Sequence, residues 1–102
     1  MSTEFFKDTV TTAAPLTVPI SMKPQHTGFQ IVAFGANNLQ IEVRRNSTSS
    51  YISLTTISGE PLVVDMVQLS DVRLTATGGD VDFELQLLQD RVSLPGAQNW
   101  NR

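Results

Sequence analysis

Apolar and polar residues alternate with a period of two along several short stretches of the chain. Leu39, Ile41 and Val43 alternate with Gln40, Glu42 and Arg44, and Val81, Phe83, Leu85 and Leu87 alternate with Asp82, Glu84 and Gln86. Successive side chains of a strand point to opposite faces, so each stretch predicts a half-buried strand. Phe29 to Phe34 is more continuously apolar and predicts a more deeply buried one. Leu16, Val18 and Ile20 also alternate, but Pro15 and Pro19 cannot donate to a ladder, which places that strand at a sheet edge. Tyr51 to Ile57, Leu62 to Val67 and Val72 to Thr77 complete about seven strands.

Turn chemistry separates them. Lys23 to Gly28 reads as a loop, as do Gly35 to Asn38 and Ser58 to Pro61, and Arg45 to Ser50 is a polar connection. Gly78-Gly79-Asp80 reads as a tight hairpin, because glycine supplies positive φ without steric cost. Short strands at roughly 8–12-residue spacing predict an all-β, single-domain β-sandwich or jelly-roll-type barrel of antiparallel strands. The expected organisation is an N-terminal arm over residues 1–8, the domain over 9–90, and a C-terminal tail over 91–102.

Composition agrees. Val, Ile and Thr number 10, 5 and 11 of 102 residues, whereas Ala contributes six and Lys two, which favours pleated sheet over helix. There is no Cys, so burial or subunit contact must supply stability. The formal net charge is −3 with seven dispersed cations, which argues against a nucleic-acid surface. The longest apolar candidate, Ile31-Val32-Ala33-Phe34, is strand-sized, so no membrane helix is expected. The N-terminus lacks the basic start and apolar core of a signal peptide, so no secretory leader is expected.

Candidate chemistry is sparse. His26 is the single His and reads as a solvated residue of a Pro-flanked loop, and no G-x-S-x-G elbow accompanies it. One imidazole and no thiolate make a poor zinc set. No enzyme activity and no cofactor are therefore expected. Asp80, Asp82 and Glu84 recur at i, i+2 and i+4, a row of carboxylates on one face. Such a row suits Ca²⁺ in ligand type but spreads over ~13 Å, too far for one ion without loops. A wet outer face is the alternative. Asn46-Ser47-Thr48 fits a glycosylation sequon but has no secretory signal beside it.

Interaction residues are easier to nominate. Phe5 and Phe6 are adjacent aromatics that one strand face cannot both bury, so either one packs against its own domain edge or the pair forms an arm laid on a neighbouring subunit. Trp100 would anchor a docking tail or, with Tyr51 and nearby amides, form a sugar platform. Residues 60–91 sum to −5 and residues 1–45 to +1, so an acidic face could meet a neighbour's Arg44-Arg45 corner in a ring, the alternative being a solvated pair at a strand end.

The Thr-rich lead Thr9 to Ala14, the segment Ile57-Ser58-Gly59-Glu60-Pro61-Leu62, and Val72 to Asp80 running into the last strand resemble small bacteriophage virion proteins. The resemblance is notably to head decoration (cement) proteins, and it implies synthesis in the host cytoplasm. That resemblance implies a sandwich or tulip-like barrel that clusters, often as a homotrimer, on the capsid surface and binds the major capsid protein or another virion protein. It brings no catalytic residues. The long N-terminal docking extension of some members is missing, so Phe5-Phe6 would have to serve. The alternative expectation is a carbohydrate- or receptor-binding module of a tail or fibre.

Overall fold

The computed structural model describes residues 5–89. Eight strands follow one another: β1 (Phe5–Val10), β2 (Leu16–Pro19), β3 (His26–Phe34), β4 (Asn38–Arg44), β5 (Ile52–Ile57), β6 (Pro61–Val64), β7 (Asp71–Thr77) and β8 (Val81–Gln89). They form two four-stranded antiparallel sheets, in the orders β1-β8-β3-β6 and β2-β7-β4-β5. The first strand therefore pairs with the eighth, the second with the seventh, the third with the sixth and the fourth with the fifth. One long hairpin, with its tip between β4 and β5, has been rolled into two facing sheets. This is the double-sheet jelly roll, which closes most of its edges by wrapping the chain around itself.

Alternation explains the core. Phe29, Ile31 and Ala33 of β3 and Val81, Phe83, Leu85 and Leu87 of β8 face Leu39, Ile41 and Val43 of β4 and Val72, Leu74 and Ala76 of β7. All are buried, and each large side chain so removed from water contributes about 1.5–3 kcal/mol before entropy is charged against it. The two central strands of each sheet carry this load. The edge strands contribute singly, with Val10, Val18, Ile57 and Val64.

Four expectations change. Residues 5–8, expected as an arm, belong to β1, which pairs with β8 from Phe5↔Gln86 to Val10↔Val81. The sequence FFKDTV hides this strand because its inward positions are Phe6, Asp8 and Val10, with a carboxylate in the middle. The turn at Gly78-Gly79-Asp80 is not a hairpin, since β7 and β8 lie in different sheets. Gly78 takes φ 90°, and the Asn37 side chain fills the space where Gly79 would carry a Cβ. Asn37 Nδ2 also donates to the Asp80 carbonyl at 3.2 Å, so this turn caps the top of the sandwich.

The third change concerns His26. It begins β3 and is only 2% exposed, where a solvated loop residue was expected. Its Nδ1 accepts the Lys23 N–H at 3.0 Å, while the His26 N–H donates to the Lys23 carbonyl at 2.9 Å. The ring thus closes the preceding turn from inside. β6 is also shorter than expected, ending at Val64 where the 62–67 run was read as one strand. Beside it, a Cβ on Gly28 would collide with the Val64 carbonyl oxygen. Glycine is required for β3 and β6 to approach this closely.

Candidate functional site

The inward side chains are occupied by the core, so interaction chemistry is left to the two outer faces, the edges and the loops. On the first sheet the register sets the outer residues in rows. Phe5, Gln86, Gln30 and Val63 make one row, and Lys7, Glu84, Val32 and Pro61 the next. Thr9, Asp82 and Phe34 make the third. Phe5, Phe34 and Val63 are 54%, 45% and 55% exposed. Apolar side chains and neutral amides dominate the β3–β6 half. The charges collect on β1 and β8, where Lys7 Nζ lies 3.8 Å from Glu84 Oε2 and the Thr9 hydroxyl donates to Asp82 at 2.6 Å. A shallow groove of about 600 Å³ runs between Lys7, Thr9, Phe34, Asp82 and Glu84.

The outer face of the second sheet is built differently. β4 and β7 bring Glu42 opposite Arg73 and Arg44 opposite Asp71. Arg73 Nε donates to Glu42 at 2.9 Å and Arg44 Nε donates to Asp71 at 2.7 Å. The Ser70 hydroxyl also donates to Asp71, at 2.9 Å. Tyr51 lies beneath both guanidinium groups, whose carbons stand 4.6 Å (Arg44) and 4.1 Å (Arg73) from its ring centre. The hydrogen bond to Glu42 raises the Arg73 pKa still further above its ordinary value, against a smaller desolvation effect. Each charge on this face already has its partner.

Sheet edges are further sites of contact, because unpaired backbone groups invite another strand. Each of the four edges here carries a device against that. β2 contains Pro19 and follows Pro15, and β6 begins with Pro61 and has four residues. β5 carries a bulge where its register shifts opposite Ile41 and Glu42. β1 places Asp8 on its inward side, opposite buried Phe83, yet Asp8 is exposed. Between the β1 and β2 edges a slot of about 360 Å³ opens toward the core, with Phe6, Leu16, Val18 and Phe83 as its apolar walls.

The nominated residues separate accordingly. Phe5 stands on the open outer face, and Phe6 packs partly buried against the core, so they point to opposite sides of one strand. Arg44 is tied to Asp71 and stacked on Tyr51, while Arg45 is exposed in the β4–β5 connection with no ion-pair partner among the described residues. Tyr51 is stacked by two guanidinium groups and is half-buried. Trp100 lies outside the described residues.

The Asp80, Asp82 and Glu84 row does not converge. Asp80 accepts the Thr12 N–H at 3.3 Å in the turn, and Asp82 and Glu84 are engaged by β1 side chains. Among the described residues no group of three or more His, Asp or Glu side chains is arranged to hold a metal ion. What sequence reasoning missed is the contrast between the two faces, because it needs the pairing of β4 with β7 and of β1 with β8. Comparison with protein-family models and with curated proteins finds no match to this chain.

Proposed function

We propose that this chain is a non-enzymatic structural protein of a bacteriophage virion, a capsid decoration protein that binds its lattice through the outer face of the β1-β8-β3-β6 sheet. The observation that carries this reading is the exposure of Phe5, Phe34 and Val63 on one face, whose β3–β6 half adds Gln30, Val32 and Pro61 and whose β1–β8 half adds Gln86, Lys7, Glu84, Thr9 and Asp82. Several exposed large apolar side chains on one face favour a protein-contact surface over a solvated one. The guarded edges support contact through faces over strand addition.

The fold is compatible with this reading without carrying it, since jelly rolls serve viral capsids and lectins alike. In the lectin-like alternative, Tyr51 already stacks with two guanidinium groups. The His26 ring is only 2% exposed and its Nδ1 is engaged by a backbone amide, which favours a structural role for it. General acid–base work needs a group within reach of substrate.

The test is co-sedimentation of the purified chain with phage heads. The double variant Phe34→Asp/Val63→Asp should weaken binding by about a hundredfold, as expected when central apolar contacts are replaced by buried charge. Thr56→Asp on the second sheet should leave it unchanged. Equal binding by all three proteins would exclude the first-sheet face.

A further inference from the structure

The end of the sandwich opposite the Asn37–Gly79 turn has two features that the fold alone does not require. Two loops meet there, β2–β3 and β6–β7, each crossing from one sheet to the other. Backbone ties them together. The Ile20 and Ser21 N–H groups donate to the Ser70 carbonyl at 2.9 and 3.1 Å, and the Met22 N–H donates to the Leu69 carbonyl at 3.0 Å. The first feature is strain. Ser21 and Gln68 take φ 42° and 62°, and among the described residues no other non-glycine residue has positive φ. Residues with a Cβ are held there only where their surroundings demand it, and such positions gather at ligand sites.

The second feature is His26. Its Nδ1 accepts the Lys23 N–H, so that nitrogen carries no proton and the neutral ring holds its hydrogen on Nε2. Nε2 is buried and has no hydrogen-bond partner among the described residues. A buried donor without an acceptor costs stability, so its retention calls for an acceptor from outside the fold. The same ring forms part of the wall of a cavity of about 340 Å³ between the two loops. Met22, Lys23 and Pro24 complete one side of it, and Val67 and Gln68 the other. That volume is at the lower end for small-molecule sites.

We propose that this cavity binds a small monocarboxylate with a short apolar body. The wall sets the class of ligand. Nε2–H requires an acceptor, and Lys23, the only charged residue on the wall, favours a negative one. Met22, Pro24 and exposed Val67 then leave an apolar surface to be covered. A metal ion is disfavoured, because a ligating imidazole binds through a bare nitrogen while its other N–H donates, the reverse of the arrangement here. Phosphate would bring up to two charges to one cation and leave the apolar wall wet. Nε2 is itself covered, so entry of the carboxylate shifts one of the flexible wall side chains, Met22 or Lys23. The contact is a hydrogen bond, and no reaction follows from it.

This site is independent of the proposed function, since it occupies the end of the sandwich and not the first-sheet face. His26 is the single His, so its ring gives one set of imidazole signals in the ¹⁵N-labelled full chain. The experiment is a titration with 3-methylbutanoate read on the His26 Nε2 resonance. A saturable shift is expected with half-saturation at about 1 mM, within what ligand efficiency allows so small an acid. The amine of the same body, 3-methylbutylamine, should cause none. Val67→Glu sets a like charge at an exposed wall position and should weaken binding by roughly tenfold or more. Lys23→Gln should weaken it about threefold, as for an exposed ion pair. Circular dichroism checks the fold of each variant. Should Val67→Glu disturb it, Lys23→Gln carries the test and must weaken binding. No saturable Nε2 shift, an equal shift with the amine, or a folded Val67→Glu that binds like wild type would each overturn the site.

Discussion

The two outer faces of this sandwich are made from the same kind of strand and behave oppositely. On β4 and β7 the outward positions hold opposite charges directly across from one another, and the pairs close around Tyr51. On β3 and β6 the outward positions hold Gln30, Val32, Phe34, Pro61 and Val63, of which Phe34, Pro61 and Val63 are exposed. Burial forces the inward pattern on both sheets alike. The outward pattern is free of that constraint, so it is where function can differ while the fold stays the same. A face with its charges already paired gains little by binding, because each pair would have to be desolvated. An apolar face has only water to lose.

The largest expected effect comes from unseating the strand that carries Val63 and Pro61. Gly28→Ala would drive a Cβ into the Val64 carbonyl oxygen, with the Val64 carbonyl carbon and the Asp65 Cα close behind. Backbone cannot rotate away as a side chain can, so β6 must separate from β3. A loss of about 3 kcal/mol, at the upper end for overpacking, is expected in urea denaturation. Gly78→Ala is the comparison. That site has φ 90° and nothing nearer than 3.5 Å, so it should lose only the roughly 1–2 kcal/mol of a left-handed backbone. Similar losses at the two sites would mean that β6 is not held by close approach.

The architecture was legible where alternation is strict. Val81 to Leu87 and Leu39 to Val43 announce β8 and β4, and Pro15 with Pro19 announces the edge position of β2. β1 was not legible, because Asp8 occupies an inward position that only pairing with Phe83 reveals. Nor was the winding. A glycine turn sharp enough for a hairpin also serves to cross between sheets, and Gly78-Gly79 does the second. His26 misled through its neighbours: Lys23, Pro24 and Gln25 are exposed, yet the strand begins at the ring. The open face could be named only through Phe5. Phe34 and Val63 look like core residues until the register shows which side they occupy.

The closed face can be opened deliberately. Arg44→Met removes the guanidinium while keeping its apolar stem, leaving Asp71 with the Ser70 hydroxyl and Tyr51 with one arginine. The Arg44–Asp71 side chains are 23% and 15% exposed, so the pair is neither fully screened nor fully desolvated. A loss of about 1 kcal/mol is expected, by analogy with well-placed partly exposed pairs. The difference between wild type and variant should shrink as salt rises toward 1 M, where the Debye length is about 3 Å. A salt-independent loss would assign the effect to packing on Tyr51 instead of to charge.

The smallest effect sharpens the contrast most. Lys7 and Glu84 are the nearest thing to an ion pair on the open face, but their atoms stand 3.8 Å apart and the Lys7 side chain is 72% exposed. Holding a long, flexible side chain in one geometry costs about what such a contact returns, so exposed pairs of this kind are often worth nothing measurable. Lys7→Gln should therefore change stability by less than about 0.3 kcal/mol, within the usual range for surface substitutions. Its co-sedimentation with phage heads should equal wild type at both 50 mM and 500 mM salt. The open face would then be working through Phe5, Phe34 and Val63, with its charges as bystanders. If binding by the wild type falls with salt and Lys7→Gln removes that dependence, the β1–β8 half is the reading surface, and the two faces differ in which partner their charges serve instead of in whether they have charges to spare.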